Sequence, residues 1–371
     1  MIRQIDALAA RASPKTVWVF LRVTDADGMS GWGEATLNGR ERELHEATVR
    51  IAARLRGAPS APTEDALRAA GVARTDAPGA AIASAIDQAL WDIAARRDGR
   101  PLHAALGAKL REKIPLYANI NRRTVDRSPS GFAASARHAV ARGFDTIKIA
   151  PFDGVHPGNG DAVAEGVARA AAVRAEIGPE RQLFVDCHWR FDADTAYRAL
   201  DALLQIGIAW FECPVAETAA NLETLRGLRA RANAGGAVLA GCETETGLAG
   251  FLPYIDAGAY DVLMPDIKYA GGLAEFGRIA ECAASHGVAV APHNPSGPIA
   301  HVASLHLCAG LAGFSLLEHQ YDESPVFVEI VDGALPEPTA GRAPLPDGPG
   351  LGIALDAVRL VPLARILGEV T

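Results

Sequence analysis

The chain has little of what marks several large classes of protein. Its five cysteines are an odd number with no CxxC pair, which argues against a disulfide framework or a zinc knuckle and points to reduced thiols. There is no run of lysine or arginine, and the net charge is -8. Nucleic acid and anionic membranes are therefore poor partners, and a small molecule is a better one. Met1 to Phe20 carries scattered charges and a proline rather than a continuous apolar core. It reads neither as a signal peptide nor as a membrane span, so a cytoplasmic location is expected. Low-complexity segments are also lacking, and what repeats is a pattern rather than a sequence.

What is present suffices for a large core. At 371 residues, 49% hydrophobic and 22% charged, the chain exceeds the usual single domain, and one large plus one small domain is expected. Thr16 to Thr24 is β-branched and aromatic; Asp25 to Gly28 supplies a turn before Gly31-Trp-Gly-Glu34, a hairpin pattern. Apolar residues then recur at helical spacing over Glu41–Leu55 and Ala80–Ala95. Residues 1–113 thus read as an α+β domain.

From Ile114 to about Glu318 short apolar runs alternate with amphipathic segments. The runs lie near Ile114–Asn119, Thr146–Ala150, Leu183–Asp186, Ala209–Glu212, Val238–Gly241, Val262–Pro265, Val288–Pro292 and Phe314–Glu318. Eight parallel strands with seven helices between them predict an α/β fold, a (β/α)7β TIM-like barrel over residues 114–330. The Pro/Gly-rich tail, 331–371, turns apolar again and is expected to pack back on the first domain, which the resemblance given below makes a capping domain.

In such a barrel the active site lies at the C-terminal ends of the strands. Lys148 stands at the second, Asp186 at the third, Glu212 at the fourth, Glu243 after the fifth, Asp266 after the sixth, His293 after the seventh and Glu318 at the eighth. Asp186, Glu212 and Glu243, on three successive strands, would repel one another unless a hard divalent cation joined them, which favours Mg²⁺. Each acid taken alone could merely cap the following helix; three in succession are harder to explain so. Asp266 and His293 are 27 residues apart on neighbouring strands, where the carboxylate can orient the imidazole as a general base. Lys148 faces the substrate from the opposite side, and a nearby cation would depress its pKa; a snorkelling surface lysine is the alternative, disfavoured by apolar Ile147, Ile149 and Ala150. Lys268, two residues past Asp266, is a rival lysine. Cys187, Cys213 and Cys242 adjoin the proposed ligands, and strand alternation makes them packing residues. Glu318, if protonated in so crowded a site, would donate a hydrogen bond to substrate. Arg190 and Asn294 are expected to bind substrate.

With these residues in place, the chain resembles the mandelate racemase branch of the enolase superfamily from about Val17 to Ala354. The segments that carry this are Ala85-Ile-Asp-Gln-Ala-Leu-Trp-Asp92, Thr146-Ile-Lys148, Val185-Asp186, Phe211-Glu212-Cys-Pro-Val215, Gly241-Cys-Glu243, Pro265-Asp266 with Gly271-Gly272, and Pro292-His293. The resemblance implies Mg²⁺ on Asp186, Glu212 and Glu243, an enolate intermediate, capping loops that close over the barrel and a homo-oligomer, dimer to octamer. Gly143-Phe-Asp-Thr-Ile-Lys148, Asp186-Cys-His188 and Ala291 to Ala300 are similar to sugar-acid dehydratases of the galactonate type. There His188 would protonate the departing hydroxyl; a hydrogen-bonding role behind the ligands is its alternative. Thr146 departs from the first lysine of a Lys-x-Lys pair, and neither Met29–Arg40 nor Ser13–Lys15 matches a dehydratase specificity loop. The expected reaction is α-proton abstraction from a carboxylate substrate, with dehydration of an aldonate or aldarate to a 2-keto-3-deoxy acid. Racemisation or epimerisation, lactone cycloisomerisation, a Schiff-base aldolase on Lys148 and a non-catalytic binding role stay open.

Overall fold

The computed structural model describes residues 1–62, 76–107, 109–157, 159 and 162–368. Strands β1 (Ile2–Arg11), β2 (Val17–Asp25) and β3 (Ser30–Glu34) form an antiparallel sheet, which the tail strand Val361–Pro362 extends along β1 through Leu8 and Ala9. β2 and β3 are the hairpin read from the sequence. β1, the longest strand, was not foreseen: only Ile2, Ala9 and Ala10 are buried on it, so no apolar run announces it. Helix α1 (Glu41–Leu55) has the bounds its spacing gives, with Glu41 and Glu43 in the first turn and Leu44, Ala47, Thr48, Ile51 and Leu55 buried. Helix α2 (Ala77–Arg97) starts at an Asp76 cap that accepts from the Gly79 amide, and it is buried over most of its surface.

Gly31 and Gly33 explain how α2 lies so close to β3. A Cβ on Gly31 would sit 2.1 Å from the Ala89 carbonyl oxygen, and one on Gly33 1.8 Å from that of Ala85. The sheet, both helices and Leu363 of the tail share one apolar core.

The larger sheet runs in the order of its parallel neighbours: β4 (Lys113–Asn119), β5 (Thr146–Ile149), β6 (Gln182–Asp186), β7 (Trp210–Glu212), β8 (Val238–Gly241), β9 (Val262–Leu263) and β10 (Ala289–Val290), with β11 (Leu317–Gln320) on the other side of β4. Among the described residues seven longer helices cross between them: Pro129–Ala141, Val163–Ile177, Ala193–Ile206, Leu222–Ala234, Gly247–Asp256, Leu273–Ser285 and Pro298–Gly310, with the short helix Ile267–Ala270 preceding the sixth. The sheet curls, and a parallel bridge from Val290 to Phe314 draws its two ends together. β9 and β10 are shorter than their apolar runs because Pro265 and Pro292, lacking an amide donor, stop the ladder. The eighth run is split. Gly313 to Ser315 bond to Val290, and pairing with β4 begins only at Leu317. Glu318 therefore lies inside the last strand, opposite Tyr117, not at its end.

Inside the curl, Tyr117, Phe184, Trp210, Val262 and Met264 make an apolar floor, with Phe184 and Trp210 stacked at 4.5 Å between ring centroids. Among the described residues no helix is long and apolar enough to cross a membrane.

Gly33→Ala is expected to cost about 2 kcal/mol or more, since backbone must move apart to admit the methyl group. Gly277→Ala, on a helix where an added Cβ meets nothing within 4 Å, should be neutral or slightly stabilising. Thermal unfolding of the two variants checks the contrast.

Candidate active site

The strand ends gather the ionisable residues at one mouth, and alternation decides which side chains enter it. On β5, Ile147 and Ile149 join the core shared with the outer helices, whereas Lys148 points inward, 1% exposed, with its ammonium 5.7 Å from the Tyr117 ring centroid. Asp186 and Glu212 end adjacent strands and face each other in register. Glu243 stands two residues beyond β8. Cys213, Cys242, His188 and Trp189 have φ of +43°, +68°, +48° and +55°, left-handed values costly for such side chains and typical of functional sites. Gly241 makes room for this turn: a Cβ there would sit 2.5 Å from a Glu217 carboxylate oxygen.

Lys148 is the hub. Its Nζ bonds to Glu212 Oε1 and lies 3.2 Å from Glu318 Oε1 and 3.8 Å from Asp186 Oδ2. The Trp210 indole donates to Glu212 Oε2 at 2.7 Å. Glu318 accepts from Asn119 Nδ2 at 2.6 Å and from the Asn294 amide at 2.8 Å. Glu243 Oε2 is buried with no hydrogen-bond partner, 3.4 Å from His293 Nε2. On its other side His293 Nδ1 is 3.0 Å from Asp266 Oδ2.

Burial governs the protonation of these groups, opposed by their partners. It pushes Glu212 up to about 8, helped by Asp186 and Glu318 against Lys148, and raises Glu243 well above the usual range. Asp186 is held low instead: burial would raise it, but His188 and Lys148 overcome that. His188, whose Nε2 lies 2.8 Å from Asp186 Oδ2, is raised in turn by that carboxylate. For Asp266, Lys268 and His293 outweigh burial and hold the carboxyl below its ordinary value.

Several expectations change here. Glu318 is a carboxylate, not a protonated donor: burial would raise it, but Lys148, His293 and its amide partners hold it low, and both oxygens accept. With no cation beside it, Lys148 has its proton held: burial favours the neutral amine, yet Glu212, Glu318 and Asp186 raise it well above the lysine range. A depressed pKa would need those acids neutralised by a cation. Asn294 does not line the cavity over this cluster; its side chain donates to His301 Nδ1 and the Glu318 carbonyl. Arg190 turns away to the Val155 carbonyl.

The cavity over this cluster has a volume near 340 Å³ and is covered by Thr36, Leu37 and Asn38, just beyond β3. Its wall holds residues passed over in the sequence. Asn119 ends β4 and Asn121 and Arg122 follow it, and the rule that found the others, look at the strand ends, would have found these. Lys268 places its ammonium on both Asp266 oxygens, at 2.9 and 2.7 Å, and on Ser296 Oγ, so it secures the partner of His293.

Of the three acids expected to hold a metal ion, the structure brings Glu212 and Glu243 close enough to share one, whereas Asp186, engaged by His188, stands outside that group. Cys213 Sγ lies within 4.8 Å of oxygens of Glu212 and Glu243, since the turn at Cys213 breaks the alternation that would have hidden it. Burial raises its thiol well above the usual range, and a soft sulfur donor is a poor match for a hard cation beside carboxylates.

Residues 5–107 match the N-terminal domain of the mandelate racemase / muconate lactonizing enzyme family, and residues 131–359 the enolase C-terminal domain-like family. The chain belongs to the enolase superfamily. Members are typically metal-dependent. A D-galactonate dehydratase of Ralstonia pickettii (strain 12J) is 30% identical over 357 residues, 93% of this chain and 90% of the relative. A D-gluconate dehydratase of Thermoproteus tenax is 31% identical over 277 residues, 74% of this chain but only 54% of that relative. Among solved structures, a mandelate racemase/muconate lactonizing enzyme from Jannaschia sp. CCS1 superposes with a TM-score of 0.84 at 27% identity, covering 96% of both chains.

Because Glu212 is raised from 4.5 to about 8 in the fold, the folded state binds its proton more tightly than the unfolded chain. The stability it contributes is complete at low pH and lost as pH rises through about 8. In a chelator the apparent Tm should therefore fall across that range. A divalent cation that binds the ionised acids should flatten the fall, which thermal melts at several pH values will read.

Proposed function

We propose that the chain is a Mg²⁺-dependent hydro-lyase that removes the α-proton and β-hydroxyl of a sugar acid to give a 2-keto-3-deoxy acid. One observation carries this: a His293–Asp266 pair and a buried carboxylate group with an unpartnered oxygen, Glu243 Oε2, line the same cavity. The likeness to relatives named as galactonate and gluconate dehydratases points the same way. The orphaned oxygen, the raised acids and the all-oxygen donor set suit a hard divalent ion on Asp186, Glu212 and Glu243. Such an ion would act as a Lewis acid on the substrate carboxylate and stabilise the charge that follows α-proton loss.

The residues then divide the work. His293 donates Nδ1–H to Asp266 and takes the α-proton on Nε2; Lys268 holds Asp266 in place. Glu318 anchors Lys148 in its ionised form, and the ammonium faces the developing negative charge. His188, kept charged by Asp186, gives its proton to the β-hydroxyl as the C–O bond breaks. Water leaves, and the enol becomes the keto acid.

Epimerisation is the second reading, since Lys148 and His293 reach the two oxygens of one carboxylate, Glu318, at 3.2 and 3.9 Å. Both readings assume that the curled sheet is a closed (β/α)7β barrel, which the Val290–Phe314 bridge supports. They also assume a division at 1–113, 114–330 and 331–371.

With aldonates and aldarates in D₂O, 2-keto acid should form only with Mg²⁺, and His293→Asn should lower its rate by roughly 10³. Deuterium at the α-carbon without loss of water would replace the dehydratase by an epimerase. An undiminished rate in the variant would remove the base assignment.

A further inference from the structure

The catalytic cavity does not end at the reacting groups. Asn38, Asn121 and Arg122 line both it and a larger outer cavity near 850 Å³. The two ends differ in charge. Around Lys148 and Lys268 stand Asp186, Glu212, Glu243, Asp266 and Glu318. The outer wall has Lys15, Arg122, Arg127 and Arg169 against Asp153 and Glu323.

Arg122 is placed where the two spaces meet. It stands three residues beyond Asn119, the register partner of Lys148, so at most roughly 10 Å further along the chain. Its Nη1 bonds at 2.9 Å to Glu323, whose side chain is 5% exposed and is fixed in turn by the Thr16 hydroxyl at 2.6 Å. That contact anchors the guanidinium at the junction through one nitrogen. Among the described residues it makes no other hydrogen bond, and its side chain is 28% exposed. A clamped arginine with unused donors at the far end of a polar cavity is suited to a planar or tetrahedral anion.

We propose that Arg122 reads a second anionic group at the end of the substrate remote from the reacting carboxylate. The preferred substrate is then a doubly anionic sugar acid, and the proposal rests on the sugar-acid reading above. An aldarate carries that group as a carboxylate and a phosphorylated aldonate as a phosphate ester; the shared chemistry is the distal anion.

The test compares, with Mg²⁺, an aldonate, the aldarate of the same configuration and the aldonate 6-phosphate, on wild type, Arg122→Met and Arg122→Lys. A wild-type kcat/KM at least tenfold higher for one doubly charged compound is expected. Arg122→Met should erase that advantage, lowering kcat/KM for the doubly charged compound at least tenfold more than for the aldonate, and Arg122→Lys should restore part of it. Which compound wins names the anion. Calorimetric binding of the doubly charged compound should weaken in parallel whether or not it turns over. Because Arg122→Met leaves Glu323 buried without its partner, Arg122→Met/Glu323→Gln is measured beside it, with thermal melts of both. Equal or better turnover of the plain aldonate by wild type, or a uniform loss on all three compounds, would overturn the distal-anion role while leaving the dehydratase reading intact. No metal-dependent product or α-exchange from any compound would instead overturn the sugar-acid reading.

Discussion

Everything at the mouth of the large sheet depends on one constraint: four acids, Asp186, Glu212, Glu243 and Glu318, are buried around Lys148, while Asp266 has a lysine of its own in Lys268. Removing an ionised carboxylate from water is costly unless charge and hydrogen bonds replace the solvent. Lys148 meets that need for Glu212, Glu318 and Asp186, and the Trp210 indole, Asn119 and the Asn294 amide take up further oxygens. One oxygen of Glu243 is left over. Lys148 and His188 balance these four acids only in part, and the shortfall suits a divalent cation better than it suits stability.

The acids reach this arrangement through backbone that would otherwise be avoided. Positive φ at Cys213 and Cys242 turns the chain as it leaves β7 and before Glu243. Glu217 ties these turns together from behind, accepting from the Trp189 indole, the Cys242 amide and the Tyr260 hydroxyl. Three strand exits are thereby bound to one buried side chain, which makes the left-handed residues affordable in the fold.

The sequence reveals the acids and hides their neighbours, for a physical reason. A charged residue at the end of an apolar run is conspicuous, so Lys148, Asp186, Glu212, Glu243, Asp266 and His293 could all be picked out by strand period alone. Whether a side chain points into the cavity or back into the protein depends on turns after the strand. Arg190 follows two left-handed residues and turns out to Val155; Asn294 follows β10 and turns in beneath Glu318. Nor does sequence give net protonation. Glu318 looked like a candidate acid until its amide donors and Lys148 were seen. β1 was missed because its burial is sparse, and the eighth strand was misplaced because its two halves pair with different neighbours.

The same reasoning joins the capping sheet to the chemistry. Glu34, fully buried at the end of β3, accepts from Gly297 and Ala300 at the start of helix Pro298–Gly310, where a carboxylate is favoured by unpaired amides. Burial raises its pKa, and those amides, Thr36 and the charge of Lys268 counter the rise. On that helix His301, kept neutral by burial, accepts from Asn294, whose own amide donates to Glu318, and Glu318 holds Lys148. Thr36, Leu37 and Asn38, which roof the cavity, follow Glu34 directly. One carboxylate therefore fixes both the roof and the far end of the hydrogen-bond chain that orients the lysine. A shift of the capping sheet would be felt in the catalytic cluster, and the roof cannot be placed independently of the groups it covers.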